Sequence, residues 1–443
     1  LSGSSVRVVL RQARSRAHHL ELGSTAAYKA LGLGLGLVAN IGAVALLTSK
    51  FGVEEYAAYA LIASLLFLLP FADLGLGAGI VNAISDVHAQ RLSSTVGANV
   101  VARSRALLAA ISVVLISLSM LALGTGSLQL ALGTLGQFPP AVLAAAVTIS
   151  VFAFTLPFGV GNRILQGMGK VGLNVKLGLI SPICTIALLT ALYFMNAHVS
   201  FFLMTPCISY FAVHVTTYVV AKKLCGLPKA SARAACSRGG TQGFPLARTA
   251  LPFFIVSIGM TIGFQSHRLI ISHLGTPEAV AAYSLVAQFA GPVSAILATT
   301  GQNLWSRYRS TSPAERSSRR FFGDVALFSV LGSGSAILLI ASVLIASYVI
   351  AGGQISITSG LVASAAFYVL IVAMHQPGAM FLTDPRGLKS QAVMVLLVSI
   401  VSISGIFFAY PVIGLAAPYL IYALTVGCIQ LVPTWLIVVS RLK

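Results

Sequence analysis

The sequence predicts an all-α polytopic membrane protein, with twelve transmembrane helices in two pseudo-symmetric six-helix bundles and both termini cytoplasmic. Three observations predict it. Of 443 residues, 57% are hydrophobic and only 8% charged, against roughly 25% charge in a soluble domain. Apolar runs of about 20 residues, long enough to cross ~30 Å of hydrocarbon, recur along the whole chain. The basic residues fall almost entirely in alternate connections, as the positive-inside rule requires.

In chain order the candidate spans are 26–49, 57–84, 106–125, 139–160, 173–195, 199–221, 249–273, 279–304, 324–350, 355–377, 390–410 and 412–437. Interior prolines such as Pro70 and Pro292 predict kinks, which neighbouring helices can re-satisfy. With the N-terminus inside, segment 1–25 is a basic cytoplasmic extension carrying Arg7, Arg11, Arg14 and Arg16. Connections 85–105, 161–176, 222–248, 305–323 and 378–389 are also inside, as are Lys29 at the start of span 1 and the C-terminal Arg441 and Lys443. All but Lys50 and Arg268 of the 28 Lys and Arg then lie on the cytoplasmic side. The first apolar run lacks a small-residue cleavage site and reads as a retained span.

The net charge of +19 would point to nucleic acid in a soluble protein. Here it lies where anionic headgroups attract it, so membrane lipids are the expected partners and nucleic acid is not. The five cysteines, Cys184, Cys207, Cys225, Cys236 and Cys428, show no metal-type spacing and read mostly as small hydrophobes. No G-x-x-x-x-G-K-[ST] element is present, and no cofactor is implied.

The basic stretch "KKLCGLPKASARAACSRGGTQGFPLAR" (222–248) reads as a linker between bundles 26–221 and 249–443. The two halves echo each other. "FGVEEYAAYALIAS" (51–64) follows span 1 and "LGTPEAVAAYSLVAQ" (274–288) follows span 7; in each, a short acidic turn leads into Ala-Ala-Tyr at the next helix. "RILQGMGKVGLN" (163–174) and "MFLTDPRGLKSQ" (380–391) form a weaker pair. Six spans per half give parallel repeats, which place a substrate path between the halves.

The stretch 46–85, "LLTSKFGVEEYAAYALIASLLFLLPFADLGLGAGIVNAIS", resembles the first hairpin of bacterial polysaccharide flippases of the O-antigen type. These belong to the multidrug/oligosaccharidyl-lipid/polysaccharide exporter superfamily. "FQSHRLIISHLGTPEAVAAYSLVAQ" (264–288) resembles that family's turn between spans 7 and 8. The sequence departs from the family where an acidic residue often precedes the span 7 arginine: here His267 precedes Arg268. The resemblance implies a flippase in the bacterial cytoplasmic membrane. Its cargo would be a polyprenyl-diphosphate-linked oligosaccharide, moved from inner to outer leaflet, with polysaccharide-assembly proteins as further partners. A cation-coupled multidrug or small-solute exporter of the same superfamily is the alternative. An enzyme is not expected, because outer loops such as "NAHVS" and "AGGQIS" are too short to hold a site.

Ionisable residues within spans default to functional readings. Asp73 sits in the inner half of span 2. It is either a polar cleft residue carrying a proton or cation, or a structural carboxylate paired with Lys29 or Lys176. Arg268 in span 7 offers a donor fork suited to a diphosphate, or snorkels to outer headgroups. Lys50 closes span 1 beside Glu54 and Glu55, where surface pairing competes with substrate contact. Arg163, Lys170 and Lys176 can receive diphosphate or simply anchor the inner face. Amides suit sugar hydroxyls; Asn40, Gln265 and Gln288, on spans 1, 7 and 8, are the cleft candidates. Gln302, Asn303, His375 and Gln376 also suit helix-to-helix bonding. Gly32 with Gly36, and Gly75 with Gly79, have the small-xxx-small spacing of close helix packing.

Overall fold

The structure, a computed structural model, describes residues 3–68, 76–228, 259, 263–310, 317–350, 353–383 and 385–442. Asp73 and Pro70, and the greater parts of linker 222–248 and span 7, lie outside the described residues.

Among the described residues the chain is helical, with no strand. The N-terminal group comprises α1 (Gly3–Lys50), α2 (Val53–Leu68), α3 (Leu76–His88), α4 (Ser94–Gly124), α5 (Ser127–Ala131), α6 (Pro139–Gly167), α7 (Val171–Gly178), α8 (Ile180–Phe194) and α9 (Val199–Cys225). The C-terminal group comprises α10 (His267–Leu274), α11 (Pro277–Ser310), α12 (Ser318–Ile345), α13 (Ser359–Phe381), α14 (Pro385–Ile413), α15 (Ala417–Thr425) and α16 (Val432–Leu442). Helix starts follow local chemistry. The side chains of Ser93, His198, Ser317 and Thr358 each accept a backbone N–H in the first turn of the helix they precede. Pro139 and Pro140 open α6, where their missing N–H costs nothing. Gly226, in the left-handed region at φ 60°, ends α9.

Nine helical stretches among the described residues are long and apolar enough to cross a bilayer. Spans 2 and 7 are interrupted by residues outside the description. Spans 11 and 12 form one helical stretch, Lys389–Leu442. That stretch folds back at Gly414 (φ 57°), bringing Gly405 against Ile421 and Met394 against Thr434. Several helices overrun their expected bounds. α4 begins at Ser94 rather than at 106, so Arg103 and Arg105 ride on the helix, and Arg105 lies over the Tyr218 ring, 4.6 Å from its centre. Span 5 is two helices meeting at Leu179, and span 8 runs through Pro292 without a break. Large apolar side chains such as Val113, Val330, Ile337 and Phe408 stay outside, the surface a bilayer solvates.

Each group packs mainly on itself: α6 against α9, α4 and α3, and α13 against α12, α11 and α15. Between the groups the principal contact is α2 on α11, with smaller ones from α1 to α11 and from α10 to the 3-10 turn Gly133–Gln137. The helices that pair across the middle are therefore the two that begin with the repeated Ala-Ala-Tyr. Ala57, Ala58 and Tyr59, like Ala281, Ala282 and Tyr283, are all nearly or fully buried, the alanines letting backbones approach.

Burial is divided unevenly along the helices. Toward the end carrying Lys50, Asn196 and Gly275, one core joins both groups; it includes Leu47, Tyr56, Leu132 and Phe202 with Ile271, Val280, Tyr283 and Tyr419. Toward the opposite end, which carries Arg91, Lys170, Lys222 and Arg386, there are two separate cores. One is built of Ile80, Ile84, Phe152 and Leu165, the other of Phe321, Val325, Leu382 and Val438. The groups thus meet along a dry seam at one end and hold their own cores at the basic end. There, Lys29 Nζ donates to Thr299 Oγ1 across the gap at 3.0 Å.

Candidate functional site

At the inner limit of the shared core lies a cleft of about 220 Å³, lined by Phe264, Gln265, Arg268, Tyr283, Ala287 and Gly291. It brings together two of the residues singled out in the sequence, Gln265 and Arg268. Arg268 is half-buried in the first turn of α10, and its Nε–H donates to Ser284 Oγ at 3.0 Å. Its two terminal amino groups make no hydrogen bond among the described residues. The guanidinium lies within electrostatic reach of the Tyr56, Tyr283 and Tyr419 hydroxyls. Among the described residues it lies beside neutral hydroxyls with no carboxylate lining the cleft, an arrangement suited to binding an anion.

The walls are aromatic. Tyr283 stacks on Tyr419 with ring centres 5.0 Å apart, and Phe264 stacks on Tyr368 at 5.3 Å. His267, fully buried, has Nδ1 2.8 Å from the Tyr283 hydroxyl, and its Nε2 has no partner among the described residues. Beside Arg268 this chain thus places an imidazole tied to a tyrosine. Sequence reading missed this aromatic cluster. Only Tyr283, through the repeated Ala-Ala-Tyr, carried a signal; Tyr368, Tyr419 and Tyr422 lie on helices far away in the chain.

The remaining candidates fall elsewhere. Gln288 donates its Nε2–H to the Tyr56 hydroxyl at 2.7 Å, a bond across the seam, while its buried Oε1 has no partner among the described residues. Asn40 is half-buried on α1 and is not among the cleft-lining residues. Lys50 lies at the far end of α1. Its Nζ donates to Asn196 Oδ1 at 3.1 Å and to the Tyr193 carbonyl at 3.3 Å, and it lies over the rings of Phe51, Tyr193 and Phe202. Aromatic faces and an amide hold this cation, rather than the Glu54 and Glu55 that its sequence position favours. Asp73 lies outside the described residues.

Two further cavities lie within the groups. One of about 210 Å³ is bordered by Asn162, Arg163, Gln166, Asn174 and His214. In it Arg163 donates to Gln166 Oε1 at 3.3 Å and crosses Gly77 so closely that a Cβ there would meet the guanidinium. The other, about 370 Å³, is bordered by His375, Gln376, Gln391, Gln430 and Thr434. Arg163, His375 and Gln376 thus face internal space. Among the described residues no His, Cys, Asp and Glu cluster could hold a metal ion.

No protein-family model and no curated protein matches the sequence. Solved structures do. One is an inward-facing multidrug resistance MATE family transporter of the MOP superfamily, 14% identical over 93% of this chain and 98% of that one, with a TM-score of 0.71. An outward-facing conformation of such a MATE family transporter is 14% identical over 96% of each chain, with a TM-score of 0.59. A MOP superfamily transporter from Pyrococcus furiosus, described as having a binding pocket of reverse polarity that suggests a different function, is 15% identical over 95% of each, at 0.56. At such identities the likeness is one of fold: this multi-pass chain is built on the MATE transporter fold.

Proposed function

We propose that this protein flips a polyprenyl-diphosphate-linked oligosaccharide from the cytoplasmic to the outer leaflet of a bacterial cytoplasmic membrane by alternating access. In this reading the chain crosses twelve times, as bundles 26–221 and 249–443 joined by 222–248, and the basic end faces the cytoplasm. The observation that carries the reading is the Arg268 guanidinium in a cleft that, among the described residues, holds no carboxylate, with one nitrogen anchored and two amino groups unengaged. A diphosphate is a bidentate anion that such a fork matches. Sugar hydroxyls can use Gln265 and the tyrosine-rich wall, while the isoprenoid tail stays in lipid. Among the described residues the basic end, from which this cargo would load, carries a separate core in each group rather than a shared one.

The same fold supports export of drugs, and the stacked aromatic wall favours that second reading for flat, apolar compounds. Cationic drugs call for carboxylates, and none lines this cleft among the described residues. Transport in proteoliposomes separates the two. The probe is a fluorescent polyprenyl-diphosphate disaccharide, scored by its accessibility to an externally added glycosidase. Wild type should expose the probe, and Arg268→Ala should slow this about a hundredfold, as loss of two charge-assisted bonds predicts. Normal insertion and an unchanged elution profile should accompany that loss. Probe exposure at the wild-type rate by Arg268→Ala, or no exposure by wild type under any ion gradient, would refute the proposal. Resistance to cationic dyes in whole cells would instead favour the exporter.

A further inference from the structure

At the end of the seam away from the basic residues, the two groups are tied through backbone as well as side chains. The Thr134 hydroxyl donates to the Ser272 carbonyl at 3.0 Å. Gly133, at φ 62°, lies so close to α10 that a Cβ would strike the Ser272 carbonyl and come 2.9 Å from His273 N. Beside this contact stands His273, exposed in the last turn of α10. Its Nδ1 lies 2.8 Å from the Leu269 carbonyl oxygen, one turn back on its own helix, and its Nε2 lies 3.1 Å from the Leu130 carbonyl oxygen on α5.

Carbonyl oxygens only accept. A neutral imidazole has one N–H and one lone pair, so it can satisfy one of these carbonyls and must turn a lone pair toward the other. Both bonds form together only in the imidazolium. The second of them crosses from the C-terminal to the N-terminal group. We propose that His273 is a proton-dependent latch on this face: charged, it fastens α5 to α10 and holds the gap shut; neutral, it keeps the bond within its own helix and releases Leu130.

The surroundings leave the charge to these carbonyls. α5 and the Gly133–Gln137 turn contribute no titratable group. The nearby elements offer Glu54 and Glu55 in the first turn of α2, Glu278 in that of α11, Lys50 at the end of α1, Tyr410 on α14, whose hydroxyl lies against Gly275, and Arg268 on α10 itself. No ion pair joins His273 to any of them among the described residues. The latched state therefore holds one proton more than the released state, and mass action fixes the sign: lowering the pH outside favours closure, raising it favours opening.

The proposal rests on the alternating-access reading but not on the cargo, so its test omits substrate. Spin labels are placed at Ser127 on α5 and Gln354 in the loop before α13, in full-length protein with its native cysteines replaced, in nanodiscs. Pulsed dipolar distances at pH 5.5 and 8 should show the short population falling about tenfold relative to the long one as pH rises, the worth of one charge-assisted hydrogen bond. His273→Ala should show little short population at either pH. His273→Arg, which donates through several N–H groups at both, should hold the short distance throughout. A wild-type distribution unmoved between the two pH values, or a full pH response retained in His273→Ala, overturns the latch. Loss of flipping with the pH response intact would refute the cargo and leave the latch standing.

Discussion

At the scale of single residues, placement separates groups that composition treats alike. Arg268 and Lys50 are the two cations that the positive-inside pattern leaves over. One lines a cleft with its two terminal amino groups unengaged among the described residues; the other is held by Asn196 and three aromatic rings at the far end. Arg268→Lys keeps the charge but loses the planar fork, so flipping of the diphosphate probe should fall about tenfold, less than for Arg268→Ala. Rates equal in Lys and Arg forms would show that charge alone matters. Gly133→Ala is expected to disturb the seam twice over, because φ 62° strains an L side chain and the added methyl meets the α10 backbone. Native-state labelling of a cysteine at the exposed Leu130 should then be faster than in the parent. Arg268 was legible in the sequence because a charge inside an apolar run has few innocent explanations. Gln288 was not: its partner Tyr56 lies 232 positions away, and only folding shows that its N–H is already spent.

At the scale of elements, the repeated Ala-Ala-Tyr was the most informative stretch. It marks α2 and α11, whose mutual packing forms the seam, and its alanines explain why backbones can approach there. The Tyr56 hydroxyl accepts from Gln288 across this seam while fully buried. Tyr56→Phe leaves that N–H unpaired, so the state with the seam closed should lose about 1–3 kcal/mol. A lower thermal midpoint at unchanged helicity would show it, and an unchanged midpoint would place water or another acceptor there. Element ends were the least legible feature. Arg103 and Arg105 mark where hydrocarbon gives way to headgroups, yet α4 continues past them to Ser94, because a helix ends at a cap rather than at a bilayer surface. The short α5 and its following turn had no apolar periodicity to reveal them, although they supply the whole of the Leu130 and Thr134 contacts.

At the scale of the whole molecule, the described residues form one joint core at the end carrying Lys50 and two separate cores at the basic end. That arrangement accords with the higher TM-score to the inward-facing transporter than to the outward-facing one, 0.71 against 0.59. Cysteines at Leu130 and His273, joined by a short bifunctional reagent, should therefore stop transport, and a reducible linker should restore it on cleavage. Full transport with the link intact would rule out opening at that seam. Orientation has its own check: a cysteine at the exposed Gln90 should react with an impermeant maleimide only from the cytoplasmic side, and one at Gln354 only from outside. By itself the sequence determined the all-helical membrane class and marked the repeated Ala-Ala-Tyr stretches. These follow from transfer free energies and spacing, which are local properties of the chain. Only the tertiary structure decided which cation meets the cleft, which amide is tied up in the seam and which end is shut, because each depends on distant segments competing for the same donors, acceptors and buried surface.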